Sequence, residues 1–480
     1  MALLFAAGCA DGGRDDEGTM VTLPMTSGMT PATTTMTTMT LPTTMMDPST
    51  SSETTDSPVT ASDPDTTTTG GCPPGTLGCP CLALEACNEP LVCDEGLCAE
   101  ATITTGPGDT TDASTSTTDD LTTGPVMMVC DDGVAAAGEL CYAPASPLGM
   151  GAGPVAVVVV DLNKDMHLDI VSANNQSNNL TIRTGKGDGA FNALSALAAG
   201  MGPYALATPD INNDTAPDLV AANNAGGDLT IYLNNGAGML IGQPAIAAQA
   251  NPRSLAVANV NGDTYDDVFV ANFGADTLGV YIGDGQGYPM PGSASTGDAP
   301  TWVTVADVNS DGKFDLVSAA SAAGTLGVSL GNGVGNFGPP SFSAVGGNPH
   351  ALAVAEFDGK PGLDAVVSVP DAGSVYFLKG KDDGSFAGAI PYPCGPDPLG
   401  LVARDMNGDG DLDVVVANRM AGMVSVLAGD GAGGFAAPVS LMVGMNPYTL
   451  DVGDFNEDDV PDIVTANNGD STVSVVLSQP

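Results

Sequence analysis

The register of one short acidic segment constrains this chain more than any other feature. Asp161-Leu-Asn163-Lys-Asp165-Met-His-Leu-Asp169 recurs with its first position at Asp161, Asp210, Asn259, Asp307, Glu356, Asp405 and Asp454, at spacings of 48 or 49 residues. A proline stands seven residues ahead of every copy: Pro154, Pro203, Pro252, Pro300, Pro349, Pro398 and Pro447. A large apolar residue stands nineteen ahead: Tyr142, Phe191, Leu240, Tyr288, Phe337, Phe386 and Phe435. Three features that keep register over seven copies define a structural repeat, not a coincidence of composition.

Each unit reads as four short strands. An apolar run such as Ala256-Val257-Ala258 follows the proline, then come the acidic loop and a second run such as Asp315-Leu-Val-Ser. A polar turn, often containing Ala-Asn, leads to a third strand such as Leu229–Leu233, and a Gly-rich turn leads to the aromatic expected to open the fourth. Short strands punctuated by Gly, Asn and Asp at this spacing predict an all-β fold, and four strands per unit predict propeller blades. The last unit stops at Pro480, before its fourth strand, while an orphan strand opens at Tyr142. That strand is expected to complete the last blade and remove an exposed sheet edge. The expected fold is a seven-bladed β-propeller over 142–480, closed by its N-terminal strand.

With its D-x-[ND]-x-D-G-x-x-D loop, this region resembles the FG-GAP/VCBS repeat family, to which the head propeller of integrin alpha subunits belongs. Phe337-Gly338-Pro339 and Phe435-Ala-Ala-Pro438 retain traces of the Phe-Gly and Gly-Ala-Pro elements.

Oxygen ligands at positions 1, 3, 5 and 9 of a tight loop suit a hard cation such as Ca2+. The seven nine-residue windows hold 24 of the chain's 57 acidic residues. Carboxylates packed this closely repel unless a cation neutralises them, although Asp and Asn also favour turns for their own sake. The expected calcium ligands are Asp161, Asn163, Asp165 and Asp169; Asp210, Asn212, Asp214 and Asp218; and Asn259, Asn261, Asp263 and Asp267. They continue with Asp307, Asn309, Asp311 and Asp315; Asp405, Asn407, Asp409 and Asp413; and Asp454, Asn456, Asp458 and Asp462. Gly312 and Gly410 stand at position 6, where positive φ is wanted, so the fourth and sixth loops are expected to bind most tightly. Met166, Thr215 and Asp459 occupy that position elsewhere, and Asn259 costs the third loop one charge. In the fifth loop Lys360 stands beside Glu356, Asp358 and Asp364, and its ammonium is expected to replace the ion. Structural ions in extracellular modules need affinities on the order of only 10⁻⁴–10⁻³ M.

The segments ahead of the repeat differ in kind. Met1–Cys9 resembles the end of a bacterial lipoprotein signal with Cys9 as the lipidated residue, although it has Ala6 where Leu is usual and no basic n-region. Residues 10–71 form a Thr/Met/Pro-rich linker too poor in apolar surface to fold. Residues 72–99 hold six cysteines, a pattern that reads as a small disulfide module of undetermined pairing; zinc fits the spacing poorly and has no His nearby. A Thr/Asp-rich linker covers 100–125, and within 126–141 the Cys130–Cys141 segment resembles the short cysteine-rich repeat of myxobacterial surface proteins, with one local disulfide as its implied role. Cys394 is left over as a small buried thiol.

With 57 acidic and 11 basic residues the formal net charge is −46. That excludes a phosphate-backbone binder and electrostatic docking on anionic membranes. Ten cysteines, six of them between Cys72 and Cys98, point to an oxidising compartment, and with the lipoprotein-like start the expected localisation is extracytoplasmic, at a bacterial outer membrane or cell surface or secreted, with membrane contact only through Cys9. Two histidines, His167 and His350, no nucleophile setting and no phosphate loop argue against an enzyme.

The face opposite the acidic loops is the expected recognition surface, with Tyr204, Arg253, Trp302, His350 and Tyr448 as candidate anchors. Phe273 and Arg419 stand near it; packing within the loops is the plainer role for each residue alone. The single Trp argues against a lectin with one aromatic platform per blade. A monomeric adhesion or ligand-binding module for an extracellular protein or glycan is expected. A structural envelope scaffold is the alternative, and a glycan-active enzyme trails both.

Overall fold

The computed structural model describes residues 91–94, 97–100, 140–288 and 291–479. Cys9, the Thr-rich linkers and the cysteines from Cys72 to Cys87 lie outside them. The first two pieces form a hairpin, Leu91–Asp94 with Leu97–Glu100, which sets Cys93 opposite Cys98. The remainder is the repeat region. Among the described residues no helix is long and apolar enough to cross a membrane.

The repeats fold into seven antiparallel sheets. Blade 1 runs Pro154–Val160, Asp169–Asn174, Asn179–Arg183 and Ser195–Ala198, from the inside outward. Blades 2 to 6 repeat this order with inner strands Pro203–Ala207, Pro252–Ala258, Pro300–Ala306, Leu352–Ala355 and Pro398–Arg404. Blade 7 has Pro447–Gly453, Asp462–Asn467 and Thr472–Val476, and its outer strand is the N-terminal Ser146–Gly149, paired antiparallel with Thr472–Val475. Neighbouring inner strands touch all the way round, including that of blade 7 against that of blade 1. The orphan strand therefore closes the ring as its register implied.

Burial explains the apolar runs. Val155–Val160 is buried throughout, and the second strands of all seven blades are buried end to end, because adjacent blades cover both their faces. The outer strand Ser195–Ala198, by contrast, is exposed at three of its four positions. The repeated proline heads the inner strand in six blades, each time at a register shift such as that between Pro154 and Ala156. A strand's first residue, at a bulge, is where a missing N–H costs the ladder least.

The aromatic position is where the sequence reading needs correction. Leu240 does open its outer strand, but Tyr142, Phe191, Phe337, Phe386 and Phe435 sit in isolated bridges, to Ser478, Gly185, Gly331, Gly380 and Gly429. The outer strands begin later, at Ser146, Ser195, Ser341, Ile390 and Val439. The rings are drawn inward by the neighbouring blade: Phe191 packs edge-on against Phe455 at 5.4 Å, and Phe435 against Phe357 at 5.9 Å.

Cys394 is a free, buried thiol pushed up to about 12 by burial. Cys141 is buried and disulfide-bonded; its expected partner Cys130 lies outside the described residues.

Candidate functional site

Every acidic loop joins an inner strand to the second strand of its blade, so all seven lie at the same end of the ring. Each is pinned by an apolar side chain at position 2. Leu162, Ile211, Val260, Val308, Phe357, Met406 and Phe455 are all buried. The position-9 Asp locks the loop from the other side. In blade 1, Asp169 Oδ2 accepts the Leu162 N–H at 3.0 Å and Oδ1 accepts the Gly185 N–H at 2.9 Å. The same pair of bonds recurs at Asp218, Asp267, Asp315, Asp364, Asp413 and Asp462. Burial pushes Asp169, Asp218, Asp413 and Asp462 up to about 6; the two N–H bonds oppose that shift, and neighbouring carboxylates add to it.

Positions 1, 3 and 5 form nested turns at the surface. Asp161 accepts the N–H groups of Asp165 and Met166 at 3.2 and 2.9 Å, Asn163 Oδ1 that of Asp165 at 3.1 Å, and Asp165 that of His167 at 3.0 Å. Blades 2 and 4 repeat the full pattern. Blade 3 differs because Asn259 replaces the first carboxylate and bonds the Gly262 N–H and the Asp263 carbonyl. In five of the seven loops position 6 adopts positive φ whether or not it is glycine: 81° at Gly312 and 93° at Gly410, but also 73° at Met166, 69° at Thr215 and 67° at Asp459. The turn is thus imposed by the hydrogen bonds, with strain where a Cβ is present.

Six loops offer only hard oxygen donors, as an alkaline-earth ion requires. The fifth does not fit an ion. Lys360 Nζ lies 3.2 Å from Asp358 Oδ2, and Lys379, from the end of the third strand, contacts the same oxygen. One oxygen each of Glu356, Asp358 and Asp364 lies within 4.8 Å of the others, a spacing that could hold a cation, but the two ammonium groups already meet the Asp358 carboxylate. Lys360 was legible from its place in the loop. Lys379 was not, because fifteen residues separate it from Asp364 and only the strand pairing brings it back.

The opposite end carries the second feature. All seven residues that follow the prolines, namely Val155, Tyr204, Arg253, Thr301, His350, Leu399 and Tyr448, are buried. Of the five expected anchors, Tyr204, Arg253, Trp302, His350 and Tyr448, none is an exposed aromatic or basic group. Tyr204, Trp302 and Tyr448 belong to the apolar core, while the buried Arg253 and His350 border a cavity. The Arg253 guanidinium stacks on Phe273 at 3.5 Å, and Arg419 pairs with Asp397 at 2.5 Å while lying 5.4 Å from the Tyr448 ring. Above them, across blades 3 to 6, opens a cavity of about 810 Å3. Its floor includes Arg253, Thr301, His350 and Leu399, and its walls are the turns that follow the second strands.

Buried Asn residues at the ends of second strands hold those turns. Asn174 Nδ2 donates to Thr181 Oγ1 at 2.6 Å, and Asn418 Nδ2 to Ser425 Oγ at 2.8 Å. The sequence suggested turn residues here; the structure makes them interior ties.

Among solved structures, the chain is similar to BBS1N from a complex with ARL6DN, with TM-score 0.52 and 14% identity, covering 71% of this chain and 97% of that one. A catalytically inactive virginiamycin B lyase from Staphylococcus aureus follows at TM-score 0.48 and 11% identity, covering 69% and 98%. A putative 6-phosphogluconolactonase from Bacteroides fragilis gives TM-score 0.48 and 17% identity, covering 61% and 85%. At such identities the first likeness concerns the fold alone. No curated protein matches the chain. The FG-GAP-like repeat family matches residues 161–221, 210–270, 259–318, 362–416 and 405–465. The gap from 319 to 361 contains the start of the lysine-bearing fifth loop. With these matches spanning more than half of its length, and seven repeats closed into a ring, the chain belongs to the FG-GAP-like repeat family.

Proposed function

We propose that this propeller is a calcium-stabilised ligand-binding or adhesion module, anchored outside the cell through Cys9 and displayed on the Thr-rich linker. The observation that carries this reading is the division of the ring's two ends. One end repeats a single oxygen-rich turn, and the other varies in sequence and opens a cavity. Calcium, when bound, would neutralise the clustered carboxylates. Asp161, Asn163 and Asp165 and their equivalents would hold it, with Asp169 and its equivalents behind them. A binding role accounts for the chain better than catalysis, because His167 is engaged with Glu457 at 2.5 Å and most of the acidic loops' carboxylates are engaged in hydrogen bonds.

Thermal unfolding of the full chain in 10 mM calcium and in EDTA tests the metal half of the proposal. At a Kd on the order of 10⁻³ M each filled site adds about 1.4 kcal/mol, and six sites should raise the midpoint by on the order of 10 °C. An unchanged midpoint would reduce the loops to hydrogen-bonded turns and remove calcium from the proposal.

A further inference from the structure

One acidic side chain outside the 1, 3, 5, 9 set belongs to two loops at once. Position 8 of the acidic loop is apolar in six blades: Leu168, Pro217, Phe314, Leu363, Leu412 and Pro461. In blade 3 it is Asp266, which is half-buried. Its Oδ2 accepts the N–H of Asp210, the first residue of the second loop, at 2.9 Å. Its own N–H approaches the Asp210 carbonyl at 3.4 Å. The next residue along the chain, Asp267, is the position-9 clamp of the third loop, on the N–H groups of Val260 and Gly283. Asp266 is thus held by loop 2 through its carboxylate and by loop 3 through its backbone.

Electrostatics make that bond responsive to a cation. The Asp210 carboxylate is turned to the N–H groups of Asp214 and Thr215, at 3.1 and 2.8 Å, and its charge repels that of Asp266. A cation held by Asp210, Asn212 and Asp214 would offset the repulsion and favour Asp266 in its docked place. Docking fixes the backbone beside Asp267, and with it the closing carboxylate of loop 3. By linkage the converse holds: a cation that fixes Asp267 also seats Asp266 on Asp210. Loops 4 and 6 provide the contrast. Among the described residues no hydrogen bond joins 307–315 to 405–413, and the lysine-bearing fifth loop comes between them in the ring.

We propose that Asp266 couples the second and third acidic loops, so that calcium in either one tightens its binding in the other. The proposal rests on the calcium reading above and adds to it a positioning residue outside the ligand set.

The test is the rise in the unfolding midpoint of the full chain from EDTA to 10 mM calcium, read through two double-mutant cycles. One combines Asp214→Asn with Asp263→Asn, a lesion in each of the coupled loops. The other combines Asp311→Asn with Asp409→Asn, in loops 4 and 6. Each rise is referred to the same variant in EDTA, so the effect of a lesion on the turn itself cancels. The first cycle is then repeated with Asp266→Asn, which keeps an acceptor for the Asp210 N–H and removes the charge. For loops 2 and 3 the double lesion should lose less of the rise than the two single losses added, by about 1–2 °C. The losses in loops 4 and 6 should add, and with Asp266→Asn those in loops 2 and 3 should add as well. Additive losses for loops 2 and 3 in the parent chain, or a shortfall that persists with Asp266→Asn, overturn the coupling and leave calcium binding in place. A parent chain with no calcium-dependent rise overturns both.

Discussion

At the residue scale, the same side chain does different work according to where the ring puts it. The position-9 aspartates are buried clamps, whereas the aspartates at positions 1 and 5 of the same loops are mostly at the surface. Asp451 illustrates the point further. It occupies an inner-strand position where the other blades carry Val158, Ala207, Ala256, Thr304, Ala353 and Val402. Its Oδ2 accepts the Val159 N–H of blade 1 at 2.8 Å across the closing junction. Burial pushes its carboxyl up to about 7, against the opposing pull of the Val159 and Val452 N–H groups and Arg404. Because the folded chain holds this proton more tightly than the unfolded one, stability falls as pH rises from about 4 to 7, and the loss is complete above that window. Asp451→Asn keeps an acceptor for Val159 and should flatten this dependence, gaining on the order of 1–3 kcal/mol at pH 8 and nothing at pH 4. Urea unfolding at both values checks it; an equal effect at the two would deny the buried charge any part.

At the scale of elements, the acidic loop is a turn defined by its hydrogen bonds and its apolar anchor more than by its glycine. Gly312 and Met166 occupy one conformation, with φ of 81° and 73°. A Cβ added at Gly312 would meet nothing within 4 Å, so Gly312→Ala tests backbone strain alone. It should cost about 1 kcal/mol, and Met166→Gly should gain about 0.5–1 kcal/mol, both read from denaturant midpoints in EDTA. If Met166→Gly destabilises, the left-handed turn is not strained. Glycine at position 6 was legible as a conformational need. The loops lacking it showed only in three dimensions, because hydrogen bonds from positions 1, 3 and 5 override the local preference. The aromatics tell the same story. Their register was plain in the sequence, but their packing onto the neighbouring blade depends on a partner more than a whole repeat away, as with Phe435 and Phe377.

For the whole molecule, closure is the decisive event. A propeller left open would expose the unpaired edge of Thr472–Val476, and Ser146–Gly149 covers it. Replacing 146–149 by four glycines should lower the unfolding midpoint more than the same change in 341–344, the outer strand of blade 4. The first change releases the junction of first and last blades, and the second frays a single sheet. Equal losses would mean that closure contributes no more than any outer strand. The blade count, the four-strand unit, the closing segment and the common end for the acidic loops all follow from the sequence, since a repeat with constant spacing permits few ways to bury its apolar runs. The burial of Tyr204, Arg253, Trp302, His350 and Tyr448, the second lysine on Asp358 and the cavity over His350 do not. Each arises where different blades converge, and the identity of a side chain says nothing of what stands across the ring until the ring has closed.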